Sequence, residues 1–334
     1  MLHSRLRPLP RRGPTTPAAP PPDLQDQGQA PEEDPEDLFT AFLPHLFPDD
    51  APPFHGDPGQ HLLYSSPRYG DLEIEVPSYP SQSEKRTEEI AAGMRQEDGV
   101  NEVENARKLF GHFLWSAAMV VAEGVEIADS PDDGTPTQQE AREIWGVRDE
   151  SVLELGAGTA LPSLICALSN AKAVAATDHP SSPALPNTIA FNINHNLRTR
   201  STTSTVSIQP HEWGVLDDSF SQSKRGTFTR IIAADCFWMR EQHANLAQTL
   251  QWFLAPGGKV LVVAGFHTGR AIVAGFFETV VENGFEIERI YERDLVERME
   301  SGQEIRREWV SVREDEGPEN RRRWCVIAVL KRKP

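Results

Sequence analysis

The chemistry-bearing stretch is Glu154-Leu155-Gly156-Ala157-Gly158-Thr159, which ends one short apolar run and precedes a second with helical spacing. Glycines in a strand-to-helix turn let the backbone approach a ligand where a side chain would block it. A dinucleotide site needs a third small residue three positions after Gly158, but that position is Leu161, followed by Pro162. Glu154, two residues before the first glycine, would repel a pyrophosphate and suits an ammonium. Asp178 closes the next apolar run about 20 residues further on, where a carboxylate can accept both hydroxyls of an adenosine ribose. Together the glycines and the two acids point to S-adenosyl-L-methionine as cofactor in preference to NAD. The plain alternatives are a ligand-free glycine turn and a turn aspartate ahead of His179-Pro180.

These residues need a scaffold, and the pattern around them supplies one. Strand-like runs at 151–155, 173–177, 205–209, 230–234 and 260–264 alternate with helical spacing at 161–168, 185–195, 242–253 and 271–282. Two further strands are expected at 285–291 and 324–330, with no crossover helix between them. Short apolar strands alternating with helices imply a mostly parallel sheet covered on both faces. The expected fold is therefore α/β and Rossmann-like: a seven-strand mixed sheet with helices on both faces. The last strand is antiparallel, inserted at one edge. Pro256-Gly257-Gly258 reads as a turn, and Asn283-Gly284 as a helix end.

Upstream, residues 1–60 read as a disordered proline-rich tail, 61–102 as a partly ordered extension, and 103–334 as the catalytic domain. Arg5, Arg7, Arg11 and Arg12 sit among prolines, and Glu32, Glu33, Asp34, Glu36 and Asp37 follow. Dense proline suits neither a helix nor a central strand. Leu38-Phe39 and Phe42-Leu43 could form a short docking helix. An apolar face at Leu109-Phe110, Phe113-Leu114 and Ala117-Ala118 predicts a helix from about residue 103.

The 334 residues carry a formal net charge of -17 and 38% hydrophobic residues. That charge disfavours nucleic acid as partner. Cys166, Cys236 and Cys325 lack the pairing or spacing of a disulfide framework or a zinc site, so no metal and a reducing compartment, the cytoplasm or nucleus, are expected. No run is long enough to span a bilayer, so no membrane partner is expected. Nothing in the pattern asks for more than a monomer.

Val152–Pro162, followed by Thr177-Asp178 and then by Asn187, Asn192 and Asn196, resembles the seven-β-strand protein methyltransferases of the lysine methyltransferase group. Fungal members, including those labelled nicotinamide N-methyltransferase-like and the elongation-factor 1-alpha methyltransferase, are nearest in pattern. The likeness runs from about residue 113 to 330. It implies that the Leu114-Trp115 pair helps cover the cofactor and that Trp213 lies beside the adenine. Glu154, Gly156, Ala157, Gly158, Asp178 and Ala234 complete the implied cofactor set. It also implies that Asp235 lies near the transferred methyl and that the following aromatic, Trp238 where the family commonly carries Tyr or Phe, faces the acceptor. Phe237 could share that role, and His267 and Arg270 could line the substrate mouth. The plain alternative for Asp235 is the cap of a helix ahead of Glu241, and the two roles can coexist.

The resulting expectation is an S-adenosylmethionine-dependent N-methyltransferase acting on an amine, lysine or N-terminus, of a basic protein. A small-molecule (nicotinamide-type) acceptor and a catalytically lapsed cofactor-binding module remain alternatives.

Overall fold

The computed structural model describes residues 2–10, 54–78, 111, 113–299, 303–314 and 316–334. Its main sheet has eight strands: β6 (Ser151–Leu155), β7 (Ala173–Asp178), β8 (Thr205–Pro210), β9 (Phe228–Ala234), β10 (Leu254–Gly265), β11 (Phe285–Arg298), β12 (Glu304–Arg307) and β13 (Trp324–Arg332). Their order is β12-β11-β13-β10-β9-β6-β7-β8. The five strands from β10 to β8 are parallel, and β13 runs antiparallel between β10 and β11.

Three details differ from the sequence expectation. The antiparallel strand lies inside the sheet, and β12 adds an eighth strand outside the expected seven. Pro256–Gly258 is also a bulge within β10, where the register with β9 shifts between Leu254 and Lys259.

The strands alternate between two cores, as pleating requires. Val152, Val174, Ile232, Leu261, Val263 and Ile327 join one core. Leu153, Ala175, Ile231, Ala233, Val260 and Val262 join the other. Helices α1 (Ser116–Asp129), α2 (Pro136–Trp145) and α3 (Leu161–Leu168) pack against the first; α6 (His243–Phe253) and α7 (Arg270–Glu282) pack against the second. Helix α4 (Ile189–Leu197) follows a π-helical turn at Ala184–Thr188, and α5 (Ser219–Ser223) precedes β9. A last short helix, α8 (Pro318–Arg323), leads into β13. From β6 the chain adds β7 and β8 on one side, then β9 and β10 on the other. The switch point therefore falls between β6 and β9, the place where open α/β sheets form their ligand crevice.

The N-terminal region departs most from expectation. Strand β1 (Leu6–Pro8) pairs with β3 (His61–Ser66), which pairs with β4 (Gly70–Glu75), giving a separate three-stranded sheet. Residues 2–10 and 54–60 therefore belong to the folded structure, although the proline content argued for disorder. Pro8 is tolerated because β1 is an edge strand, and Leu2 is only 1% exposed within the first core. Leu38, Phe39, Phe42 and Leu43 lie outside the described residues, as do Leu109 and Phe110. Leu114-Trp115 is not helical: it forms a short strand, β5, against β2 (Phe54–His55), and α1 starts at Ser116.

Asn192 and Asn196, one turn apart on α4, attach this small sheet to the domain. Asn192 accepts from the Glu75 N–H at 2.7 Å and donates to the Glu75 and Thr159 carbonyls, both at 2.9 Å. Asn196 repeats the pattern at Glu73, accepting at 3.0 Å and donating at 2.7 Å. Both side chains thus complete the edge of β4 like a further strand. Asn192→Ala leaves buried backbone groups unpaired and is expected to cost about 2 kcal/mol. A lowered denaturant midpoint at unchanged m-value checks this.

Candidate active site

One cavity opens at the switch point. Its walls include Gly156 and Gly158 from the turn after β6, Asp178 and His179 after β7, and His211 and Trp213 after β8. Ala234, Asp235, Cys236, Trp238, Met239 and Gln242 contribute from the end of β9 onward, and Phe113 and Trp115 from the segment before α1. Of the residues singled out from sequence, Trp115, Gly156, Gly158, Asp178, Trp213, Ala234, Asp235 and Trp238 meet here.

The turn's geometry explains its residue types. Gly156 and Gly158 have φ of 65° and 51°, a left-handed backbone that glycine adopts freely. A Cβ on Gly156 would also come within 3.1 Å of the Cys236 sulfur and 3.4 Å of the Trp213 ring. The Gly158 N–H donates to Asp178 Oδ2, and the His179 N–H to Oδ1, both at 2.7 Å. Asp178 therefore holds the turn while facing the cavity. His211 is buried on this wall, its N–H donating to the Asp178 carbonyl at 2.8 Å. Its ring Nε2 has no hydrogen-bond partner among the described residues. Glycine at the close approach, an aspartate, an indole and an orphaned ring nitrogen make a wall suited to an adenosine group.

Asp235 lies on the other side. It is 7% exposed and holds φ of 53°, unusual for a residue other than glycine. Its Oδ1 accepts from the Gly265 N–H at 2.9 Å, and the Ala117 N–H at the start of α1 donates to the same carboxylate. Burial pushes its pKa up to about 7, and the two amides only partly offset that. His267 Nδ1 is 3.9 Å from Asp235 Oδ1, too far for a hydrogen bond. Burial lowers the His267 pKa to about 4, so its ring brings no charge at neutral pH. The ring stacks on Trp115 with centroids 4.5 Å apart.

His267, expected at the substrate mouth, thus lies behind Asp235 and off the cavity wall, and four more of the sequence-based assignments fall elsewhere. Glu154 is 2% exposed and turned toward α3, where its carboxyl accepts from the Ser163 N–H at 3.0 Å and from the Ser163 hydroxyl. Burial raises its pKa to about 8, so it is a neutral acid at pH 7, unsuited to pairing with an ammonium. Ala157 is buried away from the cavity, its N–H spent on the Thr177 carbonyl at 2.9 Å. Phe237 stacks on Phe276 at 3.7 Å within the second core. Arg270 does not reach the mouth: it forks onto Glu292 at 2.6 Å and Glu316 at 2.7 Å, fixing α7 to β11. His211, Cys236, Met239 and Gln242 are wall residues that the sequence reading did not single out. For His211 the available signal was its place two residues before Trp213.

A family model described as lysine methyltransferase matches residues 95–283, over half of the chain. The chain belongs to the lysine methyltransferase family. Membership makes it an S-adenosylmethionine-dependent methyltransferase. A curated relative is the protein N-terminal and lysine N-methyltransferase EFM7 of Candida glabrata, 32% identical over 205 residues, 59% of this chain and 73% of the relative. Its counterpart in Eremothecium gossypii is 29% identical over 227 residues, 65% and 76% of the two chains. Among solved structures, a TehB-like SAM-dependent methyltransferase from Corynebacterium glutamicum is similar with a TM-score of 0.40 and 13% identity, covering 75% of this chain and 96% of that one. In this lysine methyltransferase family member no group of three or more His, Cys, Asp or Glu among the described residues is placed to hold a metal. Nor is any helix among them long and apolar enough to cross a membrane.

Proposed function

We propose that this methyltransferase modifies an amine of a protein, a lysine side chain or an N-terminus, within a basic segment. The observation that carries the reading is Asp235, a buried carboxylate in a cavity walled by Trp115, Trp213 and Trp238 and shared with Asp178 and the glycine turn. The curated relatives' printed names, protein N-terminal and lysine N-methyltransferase, support the same acceptor class. A net charge of -17 favours approach of a basic segment. The proposal takes the enzyme as a cytoplasmic monomer; its three free, buried cysteines suit a reducing compartment.

In this reading Asp178 accepts the ribose hydroxyls, Trp213 packs on the adenine, and Gly156, Gly158 and Ala234 allow close approach. When bound, S-adenosylmethionine supplies an electrophilic methyl group on a sulfonium. The chain's own part is to desolvate, neutralise and align the amine. An ammonium taken out of water loses its proton readily, and the Asp235 carboxylate accepts a hydrogen bond from the nitrogen and fixes its direction. Trp238 and Trp115 offer ring faces to the cationic methylated amine and exclude water. Alignment of this kind supplies much of the rate in a displacement that needs little acid–base help.

The test uses tritium-labelled S-adenosylmethionine and a panel of basic peptides with free or acetylated N-termini, with or without lysine, beside nicotinamide. Transfer to peptides is expected. Transfer to nicotinamide alone, or cofactor binding without any transfer, would overturn the reading.

A further inference from the structure

Residues 2–9 are remote in sequence from the cavity and do not line it, yet contacts through His55 and Ser116 link them to its wall. Leu9 N–H donates to the His61 carbonyl at 2.8 Å, extending the β1–β3 pairing. Arg5 spans Glu123 at 2.8 Å and Glu126 at 2.6 Å, two buried carboxylates on α1. Glu123 also has Arg293 and Arg298. Burial pushes Glu123 up, and the three guanidiniums outweigh it, leaving the carboxyl below its usual range. Glu126 has Arg5 as its ion-pair partner among the described residues, and burial raises its pKa. Arg5 therefore clamps the first residues onto the helix that begins at the cavity.

A second contact leads to the cavity itself. His3 Nδ1 lies 3.3 Å from His55 Nε2, and that same nitrogen lies 3.0 Å from the Ser116 hydroxyl. His55 is half-buried, and its loss of hydration lowers its pKa to about 3, so it is a neutral ring. One atom, His55 Nε2, therefore joins His3 to Ser116, sharing its single proton or lone pair between the two contacts. Ser116 stands between a wall residue and a residue whose amide holds Asp235. Before it, Trp115 lines the cavity and its backbone pairs with Phe54, the neighbour of His55. After it, Ala117 donates its N–H to Asp235. Residues 2–9 and His55 thus bear on the one turn that sets both the indole wall and the carboxylate.

We infer that residues 2–9 form a docking arm of the active site, which holds Trp115 and Asp235 in their working positions through His3, His55 and Ser116. Here His55 is a positioning residue: it touches neither cofactor nor acceptor. The inference rests on the reading of Asp235 as the group that aligns the amine.

The experiment compares the full chain with a variant lacking residues 1–10 and with His55→Phe, which keeps a ring there but removes the hydrogen-bond partner of Ser116. The probes are S-adenosylmethionine and the best-methylated peptide of the panel above. Turnover is expected to fall about tenfold in both variants, with the KM for S-adenosylmethionine within twofold of the full chain. A synthetic peptide of residues 1–10 added to the truncated chain is expected to restore turnover. Unchanged turnover in a folded truncated chain would overturn the inference. So would a loss tracking cofactor KM that the peptide does not rescue. If truncation prevents folding, unchanged turnover in His55→Phe overturns it instead. Asp235→Asn in the same assay separates the two readings. Full turnover there overturns the role of Asp235, and the arm's positioning role with it. Lost turnover there with normal arm variants overturns the arm alone.

Discussion

Asp235→Asn is expected to lower turnover by 10²–10³-fold, on the order of 3–4 kcal/mol of barrier, while S-adenosylmethionine binds within about threefold of its normal affinity. The amide side chain keeps the shape and one acceptor oxygen but cannot bear the charge that aligns the amine. Activity should also follow the ionisation of this group. Burial raises the Asp235 pKa to about 7, so turnover of the full chain should rise with pH through about 7, and the variant should lack that limb. The groups facing Asp235 leave the assignment intact. Burial puts His267 near 4 and moves the Cys236 and Cys325 thiols well up; Arg321 and Arg322 line a small cavity behind the carboxylate.

The stability of the same variant should move the other way. A carboxyl whose pKa is raised on folding favours the folded state when protonated. That contribution is full below the usual carboxylate range near 4 and is lost as pH rises through about 7. At pH 8 the full chain buries a charge that Asn removes, so Asp235→Asn should melt higher than the full chain, by up to about 4 kcal/mol. Lower activity with higher thermal stability distinguishes loss of a working group from misfolding. A variant equally active at pH 8 would remove Asp235 from the mechanism.

The parts legible in the sequence were those fixed by local periodicity. Ser151–Leu155 and Leu161–Leu168 fall where the spacing places them, because strand and helix repeats differ and Gly156 and Gly158 separate them. Residues whose position depends on distant partners were not legible. Leu6 pairs with Tyr64, and Arg5 meets Glu123 more than a hundred residues away. The prolines around them carry the only local signal, and it points to disorder. Leu114-Trp115 continues a helical pattern but becomes a strand because Phe54–His55 supplies an edge. Glu154 shows the limit at the site. Its type and place before the glycines suit an ammonium, yet strand alternation sends its side chain to the α3 face. Val152, two residues earlier, points the same way, so the period-two pattern held the answer while the motif drew attention elsewhere.

Asp178→Ala should act on the other half of the cavity and weaken S-adenosylmethionine binding by about 10²-fold or more. Two contributions add. The carboxylate now receives the Gly158 and His179 N–H groups at 2.7 Å each, so its loss frees the glycine turn from β7. A bound ribose would also lose a charged acceptor, worth about 1.5–3 kcal/mol for each hydrogen bond. Asp178→Asn separates the terms: its amide oxygen can still accept from one of the two N–H groups, so the turn is partly kept while the charge is gone. Its affinity should fall between those of the full chain and Asp178→Ala. Calorimetric titration measures all three. NAD should bind none of them, because Leu161 stands where close packing around a pyrophosphate needs a small residue. Unchanged affinity in Asp178→Ala would mean that the cofactor lies elsewhere, and the roles given to Trp213 and the glycine turn would go with it.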